Sequence, residues 1–190
     1  MTLWPVEVVS AALQDPERLV NGAQQVLTVD LKTFGGIPVS ELAWDRLRFF
    51  LQGQHQHVFL LYELIFNHVC HVECEARGRD GKTVRVPLPG EAVQPVGFER
   101  DEGILPHTKR SFPGYRMLYE YFAFPEKFLF FDLAGLNRLS GRDLADTLRI
   151  LIYLDTTPRA RLPVDRNTFQ LNASPAIHLF QRIAEPIRVD

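Results

Sequence analysis

His68, Cys70, His71 and Cys74 fall within seven residues of one another, and in this 190-residue sequence they form the group that most resembles a set of metal ligands. Their spacing argues against one shared ion. On a strand rising about 3.3 Å per residue, Cys70 and Cys74 stand about 13 Å apart, whereas two thiolates on one zinc lie at most about 4.6 Å apart. The same separation forbids a disulfide. Both cysteines are therefore expected to stay reduced and metal-free, filling the apolar face of a hairpin as small hydrophobes. The alternative is a metal site that also recruits His55 or His57.

Other chemistry finds little support. The sequence contains no GxSxG, HExxH, P-loop or GxGxxG, and Gly35-Gly36 leads into Ile37-Pro38 rather than a phosphate cradle. Neither a catalytic residue nor a cofactor is assigned. Glu99, Asp101, Glu102, Glu120 and Asp132 supply carboxylates, and the expectation for each is a solvated or ion-paired group. Phe112, Tyr115, Tyr119, Tyr121, Phe122, Phe124, Phe128, Phe130 and Phe131 crowd into twenty residues. A nucleic-acid stacking platform needs interleaved cations, and this run holds only Arg116 and Lys127. Most of these rings are expected to be core.

The elements that must position these groups follow from periodicity. Leu3 to Leu13 is β-branched and apolar up to the break at Asp15-Pro16. Gln25 to Lys32 alternates as a half-buried strand, and Leu47, Phe49 and Leu51 resume a period of two before Gly53. Val58, Leu61, Tyr62, Ile65, Phe66 and Val69 lie on one helical face, which predicts a helix from His55 to about Val69. Val72, Cys74 and Ala76, then an Asp80-Gly81 turn, then Val84, Val86 and Leu88 read as a hairpin, with Glu73 or Glu75 facing Arg85.

Gly90 to Arg110 reads as a long irregular loop, the kind that is uncommon unless functional. Ser111 is a cap for a helix with Pro113 in its first turn and Tyr115, Leu118, Tyr119 and Phe122 as its inward stripe, leaving Tyr121 and Phe124 free to meet a partner. Phe122→Ala should then cost about 3–5 kcal/mol, and charge changes at Glu99, Asp101 and Glu102 less than about 0.5 kcal/mol. Phe128 to Leu133 and Leu148 to Leu154 read as central strands, with Ser140-Gly141-Arg142-Asp143 in the turn region between them. Phe169 to Leu171 reads as a short strand, Pro175 to Phe180 as a short helix, and Arg182 to Val189 as a final edge strand.

The expected class is α+β, mainly antiparallel β, with a sandwich-like sheet core and two or three helices, in a single β-rich domain over residues 1–190. With 21 basic and 23 acidic side chains the net charge is -2, so no cationic field for nucleic acid is present. Two cysteines exclude a disulfide-stapled secreted fold and favour the cytoplasm. The longest apolar stretch, Val58 to Phe66, is far shorter than the roughly 20 residues of a membrane span, and no signal peptide is expected.

Several segments together resemble a known family. Pro95-Val96-Gly97-Phe98, Ser111-Phe112-Pro113-Gly114-Tyr115-Arg116 and Glu120-Tyr121-Phe122-Ala123-Phe124-Pro125-Glu126-Lys127-Phe128, running into Phe130-Phe131, are similar to TssF (VasA or ImpG), a baseplate subunit of bacterial type VI secretion systems. Leu47-Arg48-Phe49-Phe50-Leu51, Leu61-Tyr62-Glu63-Leu64, Phe169-Gln170-Leu171-Asn172 and Ala184-Glu185-Pro186-Ile187 agree, in the same order. The resemblance implies an excised central segment of a longer protein that lacks catalysis. It implies assembly with TssG and TssK into wedges around the hub, supporting sheath and tube assembly, with a second TssF copy and hub or sheath components as further contacts. It also implies a place in the cytoplasm, within a membrane-docked apparatus of a Gram-negative bacterium. No family residue roles carry over, so Glu99, Asp101, Glu102, Tyr121 and Phe124 are candidate partner contacts by exposure alone. The rival readings are a carboxylate-using hydrolase, which requires two acidic groups converging in a pocket, and a ligand-binding β-sandwich with an exposed aromatic platform.

Overall fold

The computed structural model describes residues 2–106, 112–158, 161–178 and 180. Among these, nine strands and two α-helices form two antiparallel sheets. The first sheet has the order β1 (Val6–Gln14), β2 (Gln25–Thr33), β8 (Leu144–Leu154), β4 (Val69–Gly78), β5 (Thr83–Pro87). The second has the order β6 (Val93–Pro95), β7 (Phe130–Ala134), β3 (Arg46–Leu51), β9 (Phe169–Leu171). This is the α+β, mainly antiparallel class read from the alternating runs.

One buried cluster takes side chains from both sheets and from α1 (His55–Asn67). Leu27, Leu31, Ile150 and Ile152 come from the first sheet, Phe49, Phe131, Leu133 and Phe169 from the second, and Val58, Leu61 and Ile65 from the helix. The apolar period of α1 therefore points inward as its sequence indicates. β8 is the middle strand of its sheet, consistent with its unbroken apolar run Leu148 to Leu154.

Two readings of the strands need correction. β2 is buried on both faces rather than half-buried: Val26 and Thr28, on the polar-looking side, are 2% and 6% exposed. Residues ahead of β2 fold over that side, where Val20, Ala23, Val26, Leu151 and Tyr153 make a second small cluster. Arg18 pins this cover by donating to both carboxylate oxygens of Glu73 at 2.6 and 2.5 Å, and the hydroxyl of Tyr153 donates to Glu73 at 2.9 Å. Glu73 is thus a buried anchor, and Arg85 pairs instead with Glu75, its register partner, at 2.7 Å.

The second correction concerns the cysteines, which do not share a face. The β4 register slips between Val69 and His71, so Cys70 occupies a bulge and packs against the small cluster, while Cys74 lies fully buried in the main core. One extra residue reverses the side-chain alternation that placed both on one side.

Pro175 to Phe180 is not a helix where it is described, and the Arg182 to Val189 strand and the Ser111 cap lie outside the described residues.

Burial alone would raise the Glu73 carboxyl, but the hydrogen bonds from Arg18 and Tyr153 outweigh it and hold the group below the usual glutamate range. A carboxyl depressed in the fold contributes stability above the unfolded value of about 4.3, and that contribution fades as pH falls through the folded value. Urea midpoints should therefore drop between pH 5 and pH 3. The drop should be shallower in Glu73→Gln, and an identical profile in that variant would exclude this pair as its source.

Candidate functional site

The most unusual element is α2 (Pro113–Ala123), which buries its charges and exposes its apolar stripe. Tyr115, Leu118, Tyr119 and Phe122 are 57–81% exposed, while Arg116 and Glu120 are 6% and 0% exposed. The sequence identifies the stripe correctly and its orientation wrongly. That apolar residues lie inside is a one-way tendency, and here another demand decides the rotation of the helix.

That demand comes from the loop ahead of α2. The backbone of residues 97–105 runs against the helix outside any ladder, and buried peptide groups require partners. Long charged side chains reach them. Arg116 donates to the carbonyls of Arg100 (2.8 Å) and Glu99 (3.1 Å), and Glu120 accepts from the amides of Ile104 (3.0 Å) and Leu105 (2.9 Å). Lys127, 1% exposed in the 3₁₀ turn that follows α2, donates to the carbonyl of Gly97 at 2.9 Å and pairs with Glu120. Burial pushes the Glu120 carboxyl up, and Lys127 with the two loop amides pulls it further down, so the group is held below the usual glutamate range.

The approach is close, and any side chain at position 103 would have to displace the Arg116 guanidinium. A Cβ at Gly103 would lie 2.3 Å from Nη1 of Arg116. The loop read as irregular also holds β6 and a 3₁₀ turn at Arg100–Glu102.

Glu102 accepts from the amides of Gly97 (2.7 Å) and Glu99 (3.1 Å), whereas the side chains of Glu99 and Asp101 face solvent. The structure therefore separates three residues that looked equivalent. Glu102→Lys should cost about 1–3 kcal/mol by stranding two amides, while Glu99→Lys and Asp101→Lys should stay below about 0.5 kcal/mol. Thermal melts of the three single variants check this.

Outside the network α2 presents aromatic surface. A groove of about 600 Å³ runs between α1 and α2, lined by Phe59 and Tyr62 on one side and by Tyr115, Leu118 and Tyr121 on the other, with Phe98, Phe112, Phe128 and Leu129 completing it. Phe128 holds Phe98 and Tyr121 at centroid distances of 5.1 and 6.0 Å. The Tyr62 phenol is pushed up to about 12 by burial. Of the two rings placed off the stripe, Tyr121 is 47% exposed at the groove and Phe124 is half-buried at the end of α2. Phe122, at 81% exposure, touches no core, so Phe122→Ala should change stability by less than about 0.5 kcal/mol rather than the loss expected of a core ring. A melt shifted by several degrees would contradict this.

The remaining charge clusters read as structural. The buried acids Glu73, Glu120 and Asp132 each meet a cation, Asp132 through Arg48 at 2.7 and 2.9 Å. His68 lies 2.9 Å from Asp155, and His71 lies 3.6 Å from Glu73. Cys70 and His71 both contact Tyr153, whereas Cys74 lies in the main core.

Compared with known proteins, residues 1–190 match the family model described as Type VI secretion system, TssF. Type VI secretion system component TssF1 of Pseudomonas aeruginosa is 32% identical over 198 residues, which cover 100% of this chain and 32% of that protein. The fold superposes, with a TM-score of 0.74 and 24% identity, on a chain of the type VI secretion system TssK-TssF-TssG baseplate subcomplex solved by cryo-electron microscopy. That match covers 90% of this chain and 31% of the other. The chain thus spans about a third of the length of these relatives.

Proposed function

The chain belongs to the TssF family of the type VI secretion system, and we propose that it serves as a structural subunit of that system's baseplate. The observation that carries this reading is the 32% identity to TssF1 along its whole length. In the proposed role it is a single β-rich unit from the middle of a longer polypeptide. It assembles with TssG and TssK, performs no catalysis and holds no cofactor. Its place is the cytoplasmic side of a membrane-docked apparatus in a Gram-negative cell. Among the described residues no helix is long and apolar enough to cross a membrane.

Several features support a scaffold over an enzyme. The buried carboxylates Glu73, Asp132 and Glu120 are already committed to cations, so among the described residues these acids are not paired with one another as a hydrolase needs. The large exposed surface is instead aromatic and uncharged, which is the character of a permanent protein interface. Tyr121 lines the groove, Phe124 is half-buried at the end of α2, and the side chains of Glu99 and Asp101 are exposed in the loop beyond Phe98. We take these four as partner contacts and assign Glu102 to loop structure first.

The test is co-purification of the tagged chain with TssG and TssK of its own system. Recovery of at least one partner is expected. Failure to recover either, from protein with a cooperative melt, would remove the baseplate reading.

A further inference from the structure

We propose that the outward face of α2 and the groove beside it receive an α-helix of a neighbouring subunit, one that carries large aliphatic side chains at i, i+3, i+4 and i+7 and basic residues at its flanks. This rests on the scaffold reading above.

Area is the first reason. Phe59, Phe98, Phe112, Tyr115, Leu118 and Tyr119, with Tyr121 and Phe122, are 37–81% exposed. At about 150–250 Å² per aromatic side chain they present on the order of 900 Å². A typical monomer's largest apolar patch is about 300–600 Å², and one side of a stable interface is about 800 Å². The face has the size of a complete interface.

Shape and spacing select a helix as the occupant. Tyr115, Leu118, Tyr119 and Phe122 repeat at i, i+3, i+4 and i+7, the row by which one helix packs its ridges into another. The groove is walled by two helices whose backbone bonds are internal, so an added strand finds no ladder there.

Charge selects the flanks. The stripe carries no charged residue, so a charge on the apposed face would be buried without a partner. At the margin, among the described residues, stand the exposed carboxylates of Glu63, one turn beyond Phe59, and of Glu99 and Asp101, within three residues of Phe98, with Arg100 an exposed cation beside them. Basic flanks on the incoming helix complement this excess.

A photo-crosslinking residue at Phe122 tests this in the protein assembled with its own TssG and TssK, beside Leu118→Glu and Phe122→Glu. Crosslinks should map to a helix of one of those subunits. Both substitutions should leave the thermal midpoint unchanged while lowering partner recovery by about tenfold or more. Crosslinks to a second copy, to the same polypeptide or to a non-helical segment would overturn the inference, as would wild-type recovery with both variants. If the unsubstituted protein recovered neither subunit, the baseplate reading itself would fall.

Discussion

Lys127→Ala is expected to lower the stability of the fold by about 3–5 kcal/mol, the cost of leaving a buried carboxylate without its cation. Lys127 and Glu120 are 1% and 0% exposed, so water cannot replace the lost ammonium. The same ammonium holds the carbonyl of Gly97 and lies 4.9 Å from the Phe128 ring, so its removal also frees one end of the loop that α2 holds. The amides of Ile104 and Leu105, donors to Glu120, should then exchange with solvent faster than in the parent protein. Lys127→Met combined with Glu120→Gln removes both charges while retaining an acceptor for those amides, and should recover part of the loss. Urea midpoints of the single and double variants decide the matter. A loss below about 1 kcal/mol for Lys127→Ala would mean that the pair is hydrated after all.

The network explains which parts of this protein are legible in its sequence. Strands β3 and β5 and helix α1 follow from local periodicity because each buries the face its period marks, and β8 follows from its unbroken apolar run. The hairpin pairing of Glu75 with Arg85 follows from register. Three features depend on what a segment meets in three dimensions. The second face of β2 is covered by a turn anchored through Arg18, some 55 positions from Glu73 in sequence. Cys70 changes side because of a bulge that no turn residue announces. The rotation of α2 is set by loop carbonyls and amides, which apolar periodicity does not report. A signal for that rotation was available in Arg116 and Glu120, an i, i+4 pair on one face, with Lys127 seven residues on, within an otherwise aromatic run. Long charged side chains at helical spacing opposite an aromatic stripe are compatible with either face being buried. The glycines at 97 and 103 in the preceding loop tilt the choice, since they allow backbone to approach those side chains.

Phe131→Ala should be as costly as Lys127→Ala, by about 3–5 kcal/mol, and for the opposite kind of reason. Phe131 comes from the same aromatic-rich segment as Phe122, yet it is 1% exposed on a central strand of the second sheet. It stacks on its register partner Phe49 at 5.2 Å and 19° and meets Phe169 edge-on at 6.4 Å, joining three adjacent strands through one ring stack. Truncation leaves a cavity whose walls are strands held in hydrogen-bonded register, so little collapse can offset the lost contacts. Phe131→Leu keeps most of the volume and should lose less. Set beside Phe122→Ala, the comparison separates the two roles of aromatic residues within ten positions: Phe131→Ala should shift the melt steeply and affect partner recovery through folding, whereas Phe122→Ala should leave the melt in place. Equal melting shifts for the two alanine variants would require α2 to turn its stripe inward, and the buried Glu120–Lys127 pair forbids that rotation.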